Sequence, residues 1–220
     1  MQEQPHNNSE VADNITPQVS EGINVEQSGI VTLREHAGKA LEGYRSWSEQ
    51  YPFAATAVET AVVFAAKRVV RYVGDKASVP VQNALEDEHI DAASRHPAQT
   101  AARVILLAPI AEELQYRGPS WLRRQIGNRK PSRILDAVML LGFTAGHAGV
   151  IQPADWKKPP FVTVDTSKVS VPIVPLMGGA NYARLSEQRG FVHGILAHVI
   201  NNAMESAAAT PEVRRRRAKP

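Results

Sequence analysis

Residues 108–118, APIAEELQYRG, set two adjacent glutamates, Glu112 and Glu113, directly after the apolar run VILLAPIA, with Arg117 four residues beyond the second. A solvated helix end would account for carboxylates in that position. Helix geometry divides their work differently. Neighbours on a helix differ by about 100° of rotation, so Glu112 and Glu113 cannot face the same way. Residues four apart share a face, and Glu before Arg is the favourable order. The spacing predicts that Glu113 turns to Arg117 and holds the frame, while Glu112 faces an interior.

Two further apolar stretches carry polar residues of the same kind. In LLGFTAGHAGV (140–150), His147 follows Phe143 by one turn. In FVHGILAHVINNAMESAAA (191–209), His198 precedes Asn202 by one turn. Each has an ordinary structural reading: Glu113–Arg117 as a helix ion pair, His147 as a hydrogen-bonded core histidine. Buried polar groups are costly unless paired or functional, and three separate segments bearing that cost point together to a site. His193 lies five residues before His198 and off its face, so the two make no i,i+4 metal pair and His193 is left outside.

The 220-residue chain is long enough for one ordinary domain with a tail. Its 43% hydrophobic content is globular, and a mean hydropathy of −0.26 is too low for a polytopic membrane protein. With no cysteine, disulfides, thiolate ligands and cysteine nucleophiles are excluded. Residues 1–29 are polar and free of Lys and Arg, with neither a basic nor an apolar signal region; they read as a disordered acidic tail, not a secretion signal. The other end, VRRRRAKP, is basic, but no nucleic-acid motif accompanies it, so a nucleic-acid partner is not expected.

Between these ends, 30–97 reads as an N-terminal helical region, with Leu33, Ala37, Ala40, Leu41 and Tyr44 on one side of its first helix. Residues 53–73, FAATAVETAVVFAAKRVVRYV, are interrupted by Glu59, Lys67, Arg68 and Arg71. A spanning helix needs about 20 mostly apolar residues, so a buried or interfacial helix is expected. Residues 98–209 form the denser core: a helix broken near Gly118 and Pro119, a second helix opening after Ser132, and a long Pro-rich loop over 151–168 that has the length of a lid. An apolar-then-helical stretch ending at Arg189-Gly190 follows, then the last helix to about Ala209. Residues 210–220 are the basic C-terminal tail.

The ordered set EELQYR (112–117), FTAGH (143–147) and HVINN (198–202), with its flanks LLAPIAEELQYRG and GGANYARLSEQRGFVHGILAHVINN, resembles the CAAX-processing and bacteriocin-processing (CPBP) peptidases, typified by type II CAAX prenyl endopeptidases. The resemblance covers about half the chain, residues 98–209. It implies an all-α helical bundle around a polar catalytic cavity and hydrolysis of a peptide bond in a protein or peptide substrate. By it, Glu112 matches the water-activating glutamate, made basic by partial burial. His147 and His198 match catalytic positions, and Glu113, Arg117, Phe143 and Asn202 supporting ones. The chemistry is open in two forms: Glu112 as general base, with the histidines and Asn202 orienting water and stabilising the oxyanion, or Glu112, His147 and His198 binding Zn²⁺. The resemblance also implies association with a membrane, which the composition answers with a shallow or peripheral contact. The competing functions are a non-catalytic helical binding or immunity protein on the same fold, and a peripheral membrane adaptor.

Overall fold

A computed structural model describes residues 20–79, 86–127, 133–147, 151–153, 162–164 and 171–218, with the backbone alone for 20–29, 86–88 and the two strands. It forms two compact units, residues 1–50 and 51–220. The first contains α1 (Ser20–Gln50). The helix begins inside the segment expected to be disordered. Residues 1–19 lie outside the described ones. Along α1, Ile30, Leu33 and Leu41 are exposed, and Tyr44 packs on Trp47 with ring centroids 5.7 Å apart.

The second unit is helical. It opens with α2 (Pro52–Lys76), which has proline in its first turn, where the missing N–H costs nothing. Next come α3 (Glu86–Arg95) and α4 (Pro97–Ala101), then a π-helical segment over Ala102–Leu107 that runs into α5 (Ala108–Tyr116) and α6 (Gly118–Gln125). The helix expected from residue 98 is interrupted at Gly118 as read, and the π segment is a departure that was not expected. After α7 (Arg133–His147), strands β1 (Ile151–Pro153) and β2 (Val162–Val164) pair antiparallel, Ile151 opposite Val164. This corrects the expected loop over 151–168: β-branched residues at Ile151, Val162 and Val164 favour the extended backbone. The expected lid otherwise falls outside the described residues, as does Ser132.

Helices α8 (Ile173–Arg189) and α9 (Phe191–Arg217) complete the unit, and α8 packs along α9, α2 and α7. They are joined through Gly190 at φ 103°, ψ 160°, a conformation that L side chains rarely adopt. Contact between the two helices is close. A Cβ on Gly194 would stand 1.8 Å from Ser186 Oγ and 3.0 Å from the Tyr182 carbonyl. Around this contact lies the core of Phe143, Tyr182, Leu185 and Ala197, with Tyr116 against it.

The last helix corrects the boundary expected near Ala209 and the separate basic tail. It continues through Pro211 to Arg217. Arg216 reaches Asp91 on α3 at 2.6 Å and Glu212 at 3.3 Å, and Arg217 Nε donates to the Ser94 carbonyl at 3.2 Å. These arginines dock α9 on α3.

The polarity of α2 is inverted. Three of its charges face the other helices: Glu59 pairs with Arg184 and Arg189 of α8, and Lys67 and Arg71 pair with Glu205 of α9 at 3.2 and 2.7 Å. Meanwhile Phe53, Val58, Val62, Val69, Tyr72 and Val73 are exposed. Of the four charges that interrupt the apolar sequence, Glu59, Lys67 and Arg71 are its docking groups, and Arg68 is exposed. No described helix is long and apolar enough to cross a membrane.

Candidate active site

The glutamate pair owes its position to the break before it. In the π segment the Ala108 N–H bonds the Arg103 carbonyl, five residues back. Continued by one residue, that pattern would give the Val104 carbonyl the N–H of residue 109, which is Pro109 and has none. Asn202 Nδ2 supplies the missing donor from α9 at 3.0 Å. Its Oδ1 in turn accepts from Asn201 Nδ2 (3.2 Å), and Asn201 Oδ1 accepts from buried Lys67 Nζ (2.8 Å). A relay from α2 through α9 thus anchors the turn that delivers Glu112 and Glu113.

Glu113 is completely buried. Its Oε1 accepts from Arg117 Nη1 at 2.6 Å and from His198 Nδ1 at 3.0 Å. Arg117 Nη2 donates to the Gly179 carbonyl at 2.7 Å, tying α5 to α8. The guanidinium also lies over the rings of Phe143 and Tyr182, 5.2 and 5.7 Å from their centroids. The expected Glu113–Arg117 pair is present, with His198 as its third member.

Glu112 faces the other way, as helix geometry requires. Its Oε2 lies 3.3 Å from His147 Nε2 and 3.6 Å from His198 Nε2. The Glu112 and His147 side chains are 28% and 26% exposed and that of His198 only 3%, so the group is open on one side. His147 Nδ1 lies 2.9 Å from the Phe143 carbonyl, which can only accept, so Nδ1 carries the proton. By the same reasoning His198 Nδ1 is protonated toward Glu113. Both Nε2 atoms therefore face Glu112, and no aligned donor reaches Glu112 Oε2.

Charge follows from this arrangement. Burial pushes Glu112 up, but the contact and charge of His147, with the charges of His198 and Arg117, outweigh it and hold the carboxyl below its usual range. This corrects the expectation of a carboxylate made basic by burial: the imidazoles win over desolvation. For His147 burial works downward, and Glu112 and the Phe143 carbonyl overcome it, so its pKa is raised. Tyr182, stacked on His198 at 4.4 Å, is raised well above the ordinary phenol by burial and by Glu113, and remains a neutral phenol.

The structure brings Glu112, His147, His198, Glu113, Arg117 and Phe143 together; Phe143 packs on His147 at 4.1 Å between ring centroids. Asn202 is not among them. Its amide is spent on Val104 and Asn201, which corrects its placement as a water-orienting group. His193 points elsewhere, as expected: Nδ1 is 2.9 Å from Thr56 Oγ1 and the ring stacks on Phe53 at 4.6 Å. Among the described residues no group of three His, Asp or Glu side chains is arranged to hold a metal ion. A cavity of about 270 Å³ adjoins Arg117, but none of Glu112, His147 and His198 lines it. Unforeseen in the sequence were Tyr182, Asn201 and the Lys67–Glu205 pair; a lysine within an Ala/Val helix was the signal for the last.

No protein-family model, curated protein or solved structure matches the chain.

Breaking a buried pair by removing one partner costs about 3–5 kcal/mol. Glu113→Gln and Arg117→Met should each destabilise by that order in urea unfolding. The double variant should lose clearly less than the sum, whereas additive losses would show that the two side chains act independently.

Proposed function

We propose that the chain is a peptidase of CPBP type, hydrolysing a peptide bond with water activated by Glu112. The observation that carries this reading is the meeting of Glu112 with the Nε2 atoms of His147 and His198, from three helices, beside a buried frame that orients them. General-base chemistry requires a carboxylate within hydrogen-bond reach of the water it activates. The open side of Glu112 and His147 gives that water and a substrate carbonyl a place.

Water bound against Glu112 attacks the carbonyl carbon as Glu112 takes its proton. The developing oxyanion faces the protonated Nε2 of His147, a fixed donor of the kind that stabilises such charge. As the oxyanion draws on His147, the imidazolium no longer holds Glu112 down, and the carboxylate gains basicity when it needs it. Glu112 then gives its proton to the amide nitrogen, the C–N bond breaks, and an acid and an amine leave. His198 needs no change of protonation; Glu113 fixes its ring, as a carboxylate behind an imidazole does.

The same reading places the enzyme against a lipid surface. Leu106, Leu107, Ile110 and Leu114 are exposed on the segment that carries the glutamates, as are Trp121 and Leu122 on α6. An exposed apolar area of this extent marks an interaction site.

Glu112→Gln should abolish cleavage of a peptide library, by at least about 10²-fold, while leaving the circular dichroism spectrum unchanged. Wild-type turnover should fall as pH rises through the raised pKa of His147 and as it drops through the lowered pKa of Glu112. Undiminished cleavage by Glu112→Gln would refute the assignment. Separately, the protein should float with phosphatidylcholine vesicles and lose that property in Leu107→Glu/Leu114→Glu; a wild type that stays in the aqueous fraction would contradict the lipid contact.

A further inference from the structure

Tyr116 stands one turn beyond Glu112 on α5, and residues four apart share a helix face. Helical side chains lean toward the N-terminus, so the phenol leans over the turn that carries Glu112. It lies along α7. A Cβ added to Gly142 would stand 3.5 Å from the ring at Cε1, and one added to Gly146 3.6 Å from Oη. Phe143 meets the ring edge-on, with centroids 5.6 Å apart. The hydroxyl therefore comes from the face of α5 that presents Glu112 to the end of α7 that presents His147.

Packing explains an aromatic ring at this position but leaves the hydroxyl unaccounted for, since phenylalanine would fill the same space. Tyr116 is half-buried, and among the described residues no group is hydrogen-bonded to Oη. Nor is Oη among the oxygens sealed from solvent without a partner, so the atom keeps an open side. A tyrosine hydroxyl drawn partly out of water usually has a partner. Burial, and after it the charge of Glu112, raise the phenol above its ordinary value, so it stays protonated wherever Glu112 works.

Resting on the peptidase reading, we propose that Tyr116 is a further catalytic residue, whose Oη–H donates to the substrate oxyanion beside His147 Nε2. Fixed donors aimed at developing charge are strong contributors to catalysis, and tyrosine is among the side chains that supply them. The proton stays on Oη throughout. The negative charge returns from the oxyanion into the carbonyl bond as the C–N bond breaks. His147 and Tyr116 thus hold that oxygen from α7 and α5.

The test is steady-state kinetics of wild type, Glu112→Gln and Tyr116→Phe on a peptide the wild type cleaves, with the His147 titration followed by ¹⁵N–¹H spectra. Tyr116→Phe keeps the ring and its packing. It should lower kcat about 10²-fold, the order lost with one oxyanion donor, with KM changed less than about twofold and the His147 titration unmoved. Undiminished kcat in Tyr116→Phe beside an inactive Glu112→Gln would overturn this proposal and leave the peptidase reading standing. A lowered kcat with a shifted His147 titration would show the phenol acting through the glutamate–histidine group, and would overturn it as well. A wild type that cleaves no member of a peptide library would overturn both.

Discussion

The second unit is organised around a carboxylate that water cannot reach. Glu113, wholly buried, is bearable there only because Arg117 and His198 bond the same oxygen. Burying a charge is expensive, and losing one partner leaves the other uncompensated. That constraint fixes more than the pair. Arg117 must also reach the Gly179 carbonyl, which sets α5 against α8, and His198 must turn Nδ1 inward, which leaves Nε2 toward Glu112. The adjacent glutamate is turned from Arg117 toward the two imidazoles.

A second constraint lies one turn earlier. Proline at 109 deprives the Val104 carbonyl of a donor, and the π segment, Asn202, Asn201 and Lys67 together repair the loss. Asn202 therefore has its own reason to sit one turn past His198. It holds the backbone that presents the glutamates and leaves the reaction to others. Its contribution to any chemistry passes through the position of Glu112.

Much of this was legible in the sequence, because helix spacing is a strict rule. Adjacent glutamates had to diverge, Glu113 and Arg117 had to share a face, and Phe143 had to flank His147. Gly190 marked the turn between the last two helices. What spacing cannot supply is which surface of a helix is the inner one. The charges of α2 read as interruptions of an apolar run, whereas Glu59, Lys67 and Arg71 are the groups that dock it. The run of arginines read as a free tail, although Arg216 meets Asp91 from a distant segment. The π segment was equally hidden, since its cause is one proline and its remedy lies on another helix. The sign of the Glu112 shift also depended on distances to two imidazoles that no linear pattern contains.

The central claim is that both imidazoles carry their Nδ1 proton inward and direct Nε2 at Glu112. Long-range ¹⁵N–¹H correlation spectra of the histidine rings test it directly, since they distinguish the two nitrogens and the charged form. Neutral His198 should be the Nδ1–H tautomer. His147 should remain doubly protonated to a pH above the ordinary histidine value of about 6.5, and should lose that elevation in Glu112→Gln. An Nε2–H tautomer for His198, or a His147 titration unmoved by Glu112→Gln, would contradict the account.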